Sequence, residues 1–293
     1  MSGIAATGAI TLRPAVAGTG GRALRRFLQQ RMAVAGAVFL VLLVLGAIFA
    51  PWVAPHDPEE VFWDAVRTPP SAEFWLGTDE IGRDIVSRLI FGARVSLQIV
   101  FGAIAIALGV GATIGLVSGH VGGWLDDIVM RVADGLQAFP SLILALAVVA
   151  VLGPSVTNAM LAIALTNIPE FARLVRGQVL LLREQDYVQA ARAIGASDLR
   201  IMAYHLWPSV VGSVVVYASL RTSGALLAES SLAFLGLGAA PPTPSWGQML
   251  ATSLSYLSDW WIGVFPGLTI FVAVLAFNFI GDGMRDAFDT RSR

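Results

Sequence analysis

The stretch Glu184–Pro208, EQDYVQAARAIGASDLRIMAYHLWP, decides how the rest of the chain is read. It is the longest polar-leaning segment in the second half, and apolar runs flank it on both sides. At helical spacing Tyr187, Val188, Ala191 and Ile194 share one face, whereas Arg183, Glu184, Asp186 and Arg192 lie elsewhere. Gly195 then breaks the helix, and Ser197 is placed to cap a second one beginning at Asp198. Two short helices around a glycine bend, set between apolar runs, make either a docking element or a solvated connecting loop. Periodicity leaves both open, so the surrounding chain has to choose.

The surrounding chain is that of a membrane protein. Of its 293 residues, 56% are hydrophobic and 13% charged, against about a quarter charged in ordinary globular domains. The net charge is −1, which gives no electrostatic basis for binding nucleic acid. All 19 basic residues are arginine, and there is no cysteine to form a disulfide or a thiolate metal site. Residues 1–31 lack an apolar run followed by a small-residue cleavage site, so no cleavable signal peptide is expected.

Outward from the opening stretch, six apolar runs are expected to cross the bilayer: 32–50, 95–118, 140–152, 158–171, 209–227 and 262–280. The first, Met32–Ala50, carries no charge and reaches roughly 28 Å at helical rise, enough for a bilayer core. Residues 1–21 read as a disordered tail, followed by Arg22, Arg25, Arg26 and Arg31 directly before this run. The segment His56–Arg94 reads as extracytoplasmic. It is expected to end in a separate amphipathic surface helix, with Ile85, Leu89 and Ile90 as a stripe and Asp84 paired with Arg88. Along the second run Ala103, Ala107, Gly111, Gly115 and Gly119 form a small-residue ridge, read here as packing within the chain. Residues 119–139 read as a surface helix, with Leu125, Ile128, Val129, Val132 and Leu136 on one side and Asp127, Arg131 and Asp134 on the wet side. Trp52, Trp260 and Trp261 are placed as interfacial residues. With both termini inside, fourteen arginines fall in the cytoplasm and four outside, and the opening stretch is cytoplasmic.

No catalytic constellation is legible. His56, His120 and His205 are far apart in sequence, and no segment combines a glycine-rich loop with the Gly-Lys-Ser/Thr of a phosphate cradle. The chain is therefore expected to bind neither metal nor ATP by itself. Arg221 and Glu229 are the ionisable residues singled out within the runs, and both are candidates for the translocation pathway. About 12 Å of helical rise separates them, too far for a direct bridge.

With these features in hand, YVQAARAIGAS resembles the EAA loop of ATP-binding-cassette importer permeases, here Gln189-Ala190-Ala191 with Gly195 and a later Pro208. LGTDEIGRDIVSRLIFGARVSL (76–97), GGWLDDIVMR (122–131), ARLVRGQVL (172–180), AESSLAFLGLGAAPPTPSWGQML (228–250) and LAFNFIGDGMRDAFD (275–289) are similar to the C-type membrane subunit of the dipeptide/oligopeptide/nickel permease family. The resemblance implies an all-α integral membrane protein with six transmembrane helices, a type I importer permease fold and a cytoplasmic coupling helix. It divides the chain into a cytoplasmic tail (1–31), a first span with an extracytoplasmic segment (32–94) and a transmembrane domain (95–293) carrying the coupling loop 184–208. It further implies a second, B-type permease subunit, two cytoplasmic ATPases that hold the ATP and Mg, an extracytoplasmic binding protein, and a bacterial inner-membrane location. Peptides are the expected cargo, with nickel or another small ligand as the rival.

Under that resemblance Tyr187, Val188, Gln189, Ala190, Ala191, Ile194 and Gly195 form the ATPase-coupling element. The two alanines allow close docking and the glycine permits the bend. Two departures stand out: Gln189 replaces the usual Glu, and the usual Leu-Pro-Asn ending reads Trp207-Pro208-Ser209. A secondary transporter or channel would instead need broken or ionisable midplane sites in both halves. A non-transporting scaffold would leave the coupling element without a purpose.

Overall fold

The computed structural model describes residues 19–288, with side chains from Leu24 to Ala287. Most of the tail expected to be disordered, and the terminal Arg291 and Arg293, lie outside the described residues. The tail's last residues begin helix α1, Thr19–Gln29, which leads into α2, Arg31–Ile48, and the short α3, Ala50–Val53. There follow α4 (Ile85–Val121), α5 (Gly123–Gln137), α6 (Ser141–Leu152), α7 (Val156–Leu182), α8 (Asp186–Ala193) and α9 (Asp198–Ile201). A π-helical turn, Met202–Leu206, feeds α10 (Trp207–Phe234), and α11 (Trp246–Ser253) and α12 (Trp261–Phe288) complete the described chain. No strand occurs among the described residues.

Four of these units are long and apolar enough to cross a bilayer: α2, α4, the continuous stretch Asp198–Phe234, and α12. A fifth exists only if α5 and α6, bent by 89° at their junction, are taken together as one broken span. The expected span 140–152 corresponds to α6, whose 12 residues rise only about 18 Å. The expected span 158–171 is part of the longer α7, whose 27 residues reach about 40 Å. Its length suffices, but Glu170, Arg173 and Arg176 interrupt its apolar character. Apolar side chains such as Val38, Val41, Leu42 and Leu45 on α2 are exposed, as a lipid-facing surface requires.

The ridge on α4 packs within the chain, as expected. A Cβ at Gly111 would lie 2.6 Å from the Ile168 carbonyl, one at Gly119 would lie 3.0 Å from Val179 Cβ, and one at Gly115 would collide with the Ala172 carbonyl. Glycine at these positions lets α4 and α7 approach backbone to backbone, which seals the centre of the bundle.

Two expectations at the outer end are corrected. No separate surface helix precedes the second span: α4 runs unbroken for 37 residues. Nor does Arg88 pair with Asp84. Asp84 caps α4, accepting from Ser87 N at 2.8 Å and Ser87 Oγ at 2.6 Å. Arg88 instead lies 3.2 Å from Asp79 and donates to the Pro58 carbonyl at 3.2 Å. Arg83 pairs with Asp79 and Glu80, both at 2.7 Å. Arg94 donates to the Ala47 and Ile48 carbonyls, both at 3.0 Å, satisfying the open end of α2. Arg83, Arg88 and Arg94, three of the four arginines counted outside, are thus each bound within the chain.

The outer cap extends into α11, where Trp246 is fully buried on Gly92 and donates to the Leu89 carbonyl at 3.0 Å. Trp261 is likewise buried and donates to the Thr78 carbonyl at 3.1 Å. It is a core residue of the cap, whereas Trp260 and Trp52 are exposed. Burial, with the neighbouring Asp79 carboxylate, holds the Glu80 carboxyl above the usual carboxylate range.

Candidate functional site

Two places in the bundle concentrate polar groups. The first is the stretch Glu184–Pro208, at the end of the bundle where the C-terminal end of α4 meets α9. Gln185 leads α8, whose two turns place Val188 and Ala191 three residues apart, and both are buried in the chain itself. Tyr187 and Ile194 fall on the opposite outcome, and Ile194 is 87% exposed. The single stripe expected from periodicity is therefore divided: Val188 and Ala191 seat the helix, while Tyr187, Ala190 and Ile194 project from it. The stripe breaks because Ile194 sits at the helix end, where Gly195 adopts φ +83° and turns the chain away. Leu199 and Tyr204 project beyond it, 73% and 76% exposed.

Polar ties anchor this stretch. His120, in the last turn of α4, makes a 2.8 Å contact from Nε2 to Asp198 Oδ1. Arg183 Nη1 donates to the Gly119 carbonyl at 2.9 Å. Gln189 Nε2 donates to the Arg183 carbonyl at 2.9 Å, so the glutamine in the usual glutamate position closes the end of α7. Ser197 occupies the expected cap position of α9, but only its backbone carbonyl is engaged, by Ile201 N at 2.9 Å. A displacement of α8 would thereby be felt at the ends of both α4 and α7.

The second place lies midway along α7 and α10. Arg221 Nη2 donates to Glu170 Oε1 at 2.7 Å, Arg221 Nε to Asn167 Oδ1 at 3.2 Å, and Tyr217 Oη to Glu170 Oε2 at 2.6 Å. Arg173 pairs with Asp134 of α5 at 2.6 Å, and Arg176 grips Asp126 through two 2.6 Å bonds. These bonds turn the polar side of α5 onto α7, leaving Ile128 and Val132 exposed rather than packed against this chain.

A cavity of about 660 Å³ opens where the α5–α6 bend meets α7 and α10, and its walls include Glu170, Arg173, Tyr217 and Thr166. Arg221, the sequence-based pathway candidate, stands behind this wall and holds Glu170, which forms part of it. Glu229 stands elsewhere: it is 1% exposed, its Oε1 has no hydrogen-bond partner, and Oε2 receives Ser230 Oγ at 3.3 Å. The structure does not bring Arg221 and Glu229 together. Glu170 was not singled out from the sequence; its signal was an acid within TNIPEF, midway along a helix long enough to span.

No group of side chains suited to hold a metal ion occurs among the described residues. Comparisons with known proteins converge on one family. Residues 111–293 match the family described as binding-protein-dependent transport system inner membrane component. Residues 19–70 match the N-terminal TM domain of oligopeptide transport permease C. The glutathione transport system permease protein GsiD of Escherichia coli is 46% identical over 269 residues, covering 91% of this chain and 89% of its own length. The same protein of Shigella boydii gives the same values of 46%, 91% and 89%. An inward-facing structure of the MetNI methionine ABC transporter shares the fold, with a TM-score of 0.58 at 17% identity, over 69% of this chain and 97% of that one.

Proposed function

The chain belongs to the family of binding-protein-dependent inner-membrane transport permeases, and on that premise we propose that it forms one half of the pathway of an ATP-driven peptide importer. A second, B-type permease subunit supplies the other half. Two cytoplasmic ATPases carry the nucleotide and Mg, and an extracytoplasmic binding protein delivers the cargo. Both termini lie in the cytoplasm. The arginine distribution supports this orientation, as does the position of Arg285 near Ser209, at the same end of the bundle as the coupling stretch.

The observation that carries the reading is the division of the coupling stretch into an anchored face and a projecting one. Exposed Ile194, Leu199 and Tyr204, with exposed Ala190 on α8, offer apolar surface suited to a groove on a partner. A surface of this kind is costly in water unless covered. ATP-driven closure of the ATPases moves this surface. The His120–Asp198 and Arg183–Gly119 ties pass that motion to α4, while α7 continues directly from the loop. The spans then reorient as rigid bodies between inward- and outward-open states. Peptide-like cargo is supported by similarity to permeases named for glutathione transport.

The test is reconstitution of the four-chain complex in vesicles with its binding protein. ATP-dependent uptake of glutathione or a dipeptide is expected. A complex that retains the ATPases but imports neither contradicts the peptide reading.

A further inference from the structure

We propose that the cavity beside α7 is a cargo subsite with two charged poles, Glu170 for an ammonium group and Arg173 for a carboxylate. It takes small zwitterions from amino-acid to dipeptide length. The proposal rests on the permease reading and adds to it where along α7, and by what chemistry, cargo pauses.

Charge in a helical membrane bundle is expensive unless it faces protein or water. Both poles remain partly exposed, Glu170 at 26% and Arg173 at 49% of their side chains. A face of this kind cannot rest against hydrocarbon. Each pole is neutralised from outside the cavity wall or across it: Glu170 by Arg221 at 2.7 Å, Arg173 by Asp134 at 2.6 Å. The site is therefore neutral as a whole while offering both signs to a guest. A zwitterion brings no net charge, so its arrival leaves that balance intact.

Capacity and spacing agree. The Glu170 carboxylate accepts from Arg221 and Tyr217, which leaves about two of its roughly four acceptor positions for an ammonium. Arg173 engages Asp134 through Nη2 alone, so most of its five donors stay open to a carboxylate. Residues three apart on a helix have Cβ atoms about 5–6 Å apart, and an extended dipeptide spans about 7 Å. The cavity's 660 Å³ falls within the roughly 300–1,000 Å³ of small-ligand sites. The 89° bend between α5 and α6 lies at its wall. Arg221, behind the wall, acts as a positioning residue for Glu170.

The test uses the assembled complex in nanodiscs without the binding protein, and tritiated alanyl-alanine as probe. Unlabelled alanyl-alanine should compete about tenfold better than N-acetyl-alanyl-alanine or alanyl-alanine amide, as expected for one charge-assisted contact at each end. Glu170→Gln should erase the discrimination against the N-acetyl compound, and Arg173→Gln that against the amide. If Glu170→Gln fails to assemble, Glu170→Asp serves: binding should weaken several-fold with the preference kept, and unchanged affinity overturns the proposal. Absence of wild-type binding up to about 10 mM, or wild-type competition ratios in both glutamine variants, also overturns it. ATP-driven uptake by the same complex with its binding protein reads the importer assignment separately. Uptake with unaltered ratios removes the subsite alone, whereas no peptide uptake by the wild type removes the peptide-importer reading.

Discussion

The two ends of this bundle solve opposite problems. At the outer end, Asp79, Asp84 and Arg88 are buried and engaged within the chain, and Trp246 and Trp261 each find a backbone carbonyl. At the inner end, α8 is seated by two small buried residues, and large apolar side chains stand free around it. The first arrangement is self-sufficient. The second leaves apolar surface uncovered, and its anchoring bonds run back to α4 and to the end of α7. Under the proposed function, folding information and coupling information are thus separated along the length of the same helices.

Substitutions at the two ends should separate accordingly. Trp246→Ala removes a fully buried side chain and its hydrogen bond, and should cost about 3–5 kcal/mol. Thermal unfolding of the purified chain reads this, and ATPase recovery per folded molecule should not change. Ala190→Arg should do the reverse: ATPase recovered by pull-down falls at least about tenfold, while stability shifts by no more than about 0.5 kcal/mol. Ala191→Arg should damage both readouts, because Ala191 is buried in the chain's own packing. His120→Ala releases α4 from Asp198 and should lower uptake several-fold with the ATPases still bound. Equal losses in assembly and uptake would show that the tie is merely structural.

The smallest effect belongs to Glu80. Its folded pKa is raised above 4.5, so the folded cap binds the proton more tightly than the unfolded chain does. That contribution is present below about pH 4.5 and is lost as pH rises through the folded value. Protection of residues 57–83 against hydrogen exchange should weaken slightly over that window. Glu80→Gln should flatten the dependence, and an unchanged slope assigns it to another group.

Much of this was legible in the residues. Apolar run lengths and the α4 ridge announced a helical membrane bundle, and the Tyr187–Gly195 pattern marked two short helices around a glycine bend. What periodicity could not supply was the identity of the surface each side chain meets. Val188 and Ile194 share a stripe on paper, yet the helix ends before Ile194, so one is buried and the other projects. Glu170 was passed over because an acid among apolar neighbours acquires meaning only when Arg221 arrives beside it from α10, 51 residues later. The continuous α4 was hidden by Asp84 and Arg88, which suggested a surface helix until Ser87, Asp79 and the Pro58 carbonyl supplied their partners.

Because the chain contains no cysteine, single cysteines can report on the inner end without background. The most direct measurement is disulfide cross-linking between Ile194→Cys or Val188→Cys and a cysteine scan of the cognate ATPase's surface, in membranes and under turnover. Cross-linking from position 194, absent from position 188, and changing in yield with ATP, is the predicted result. Cross-linking from position 188 alone, or from neither position in a complex that still imports, would contradict the account.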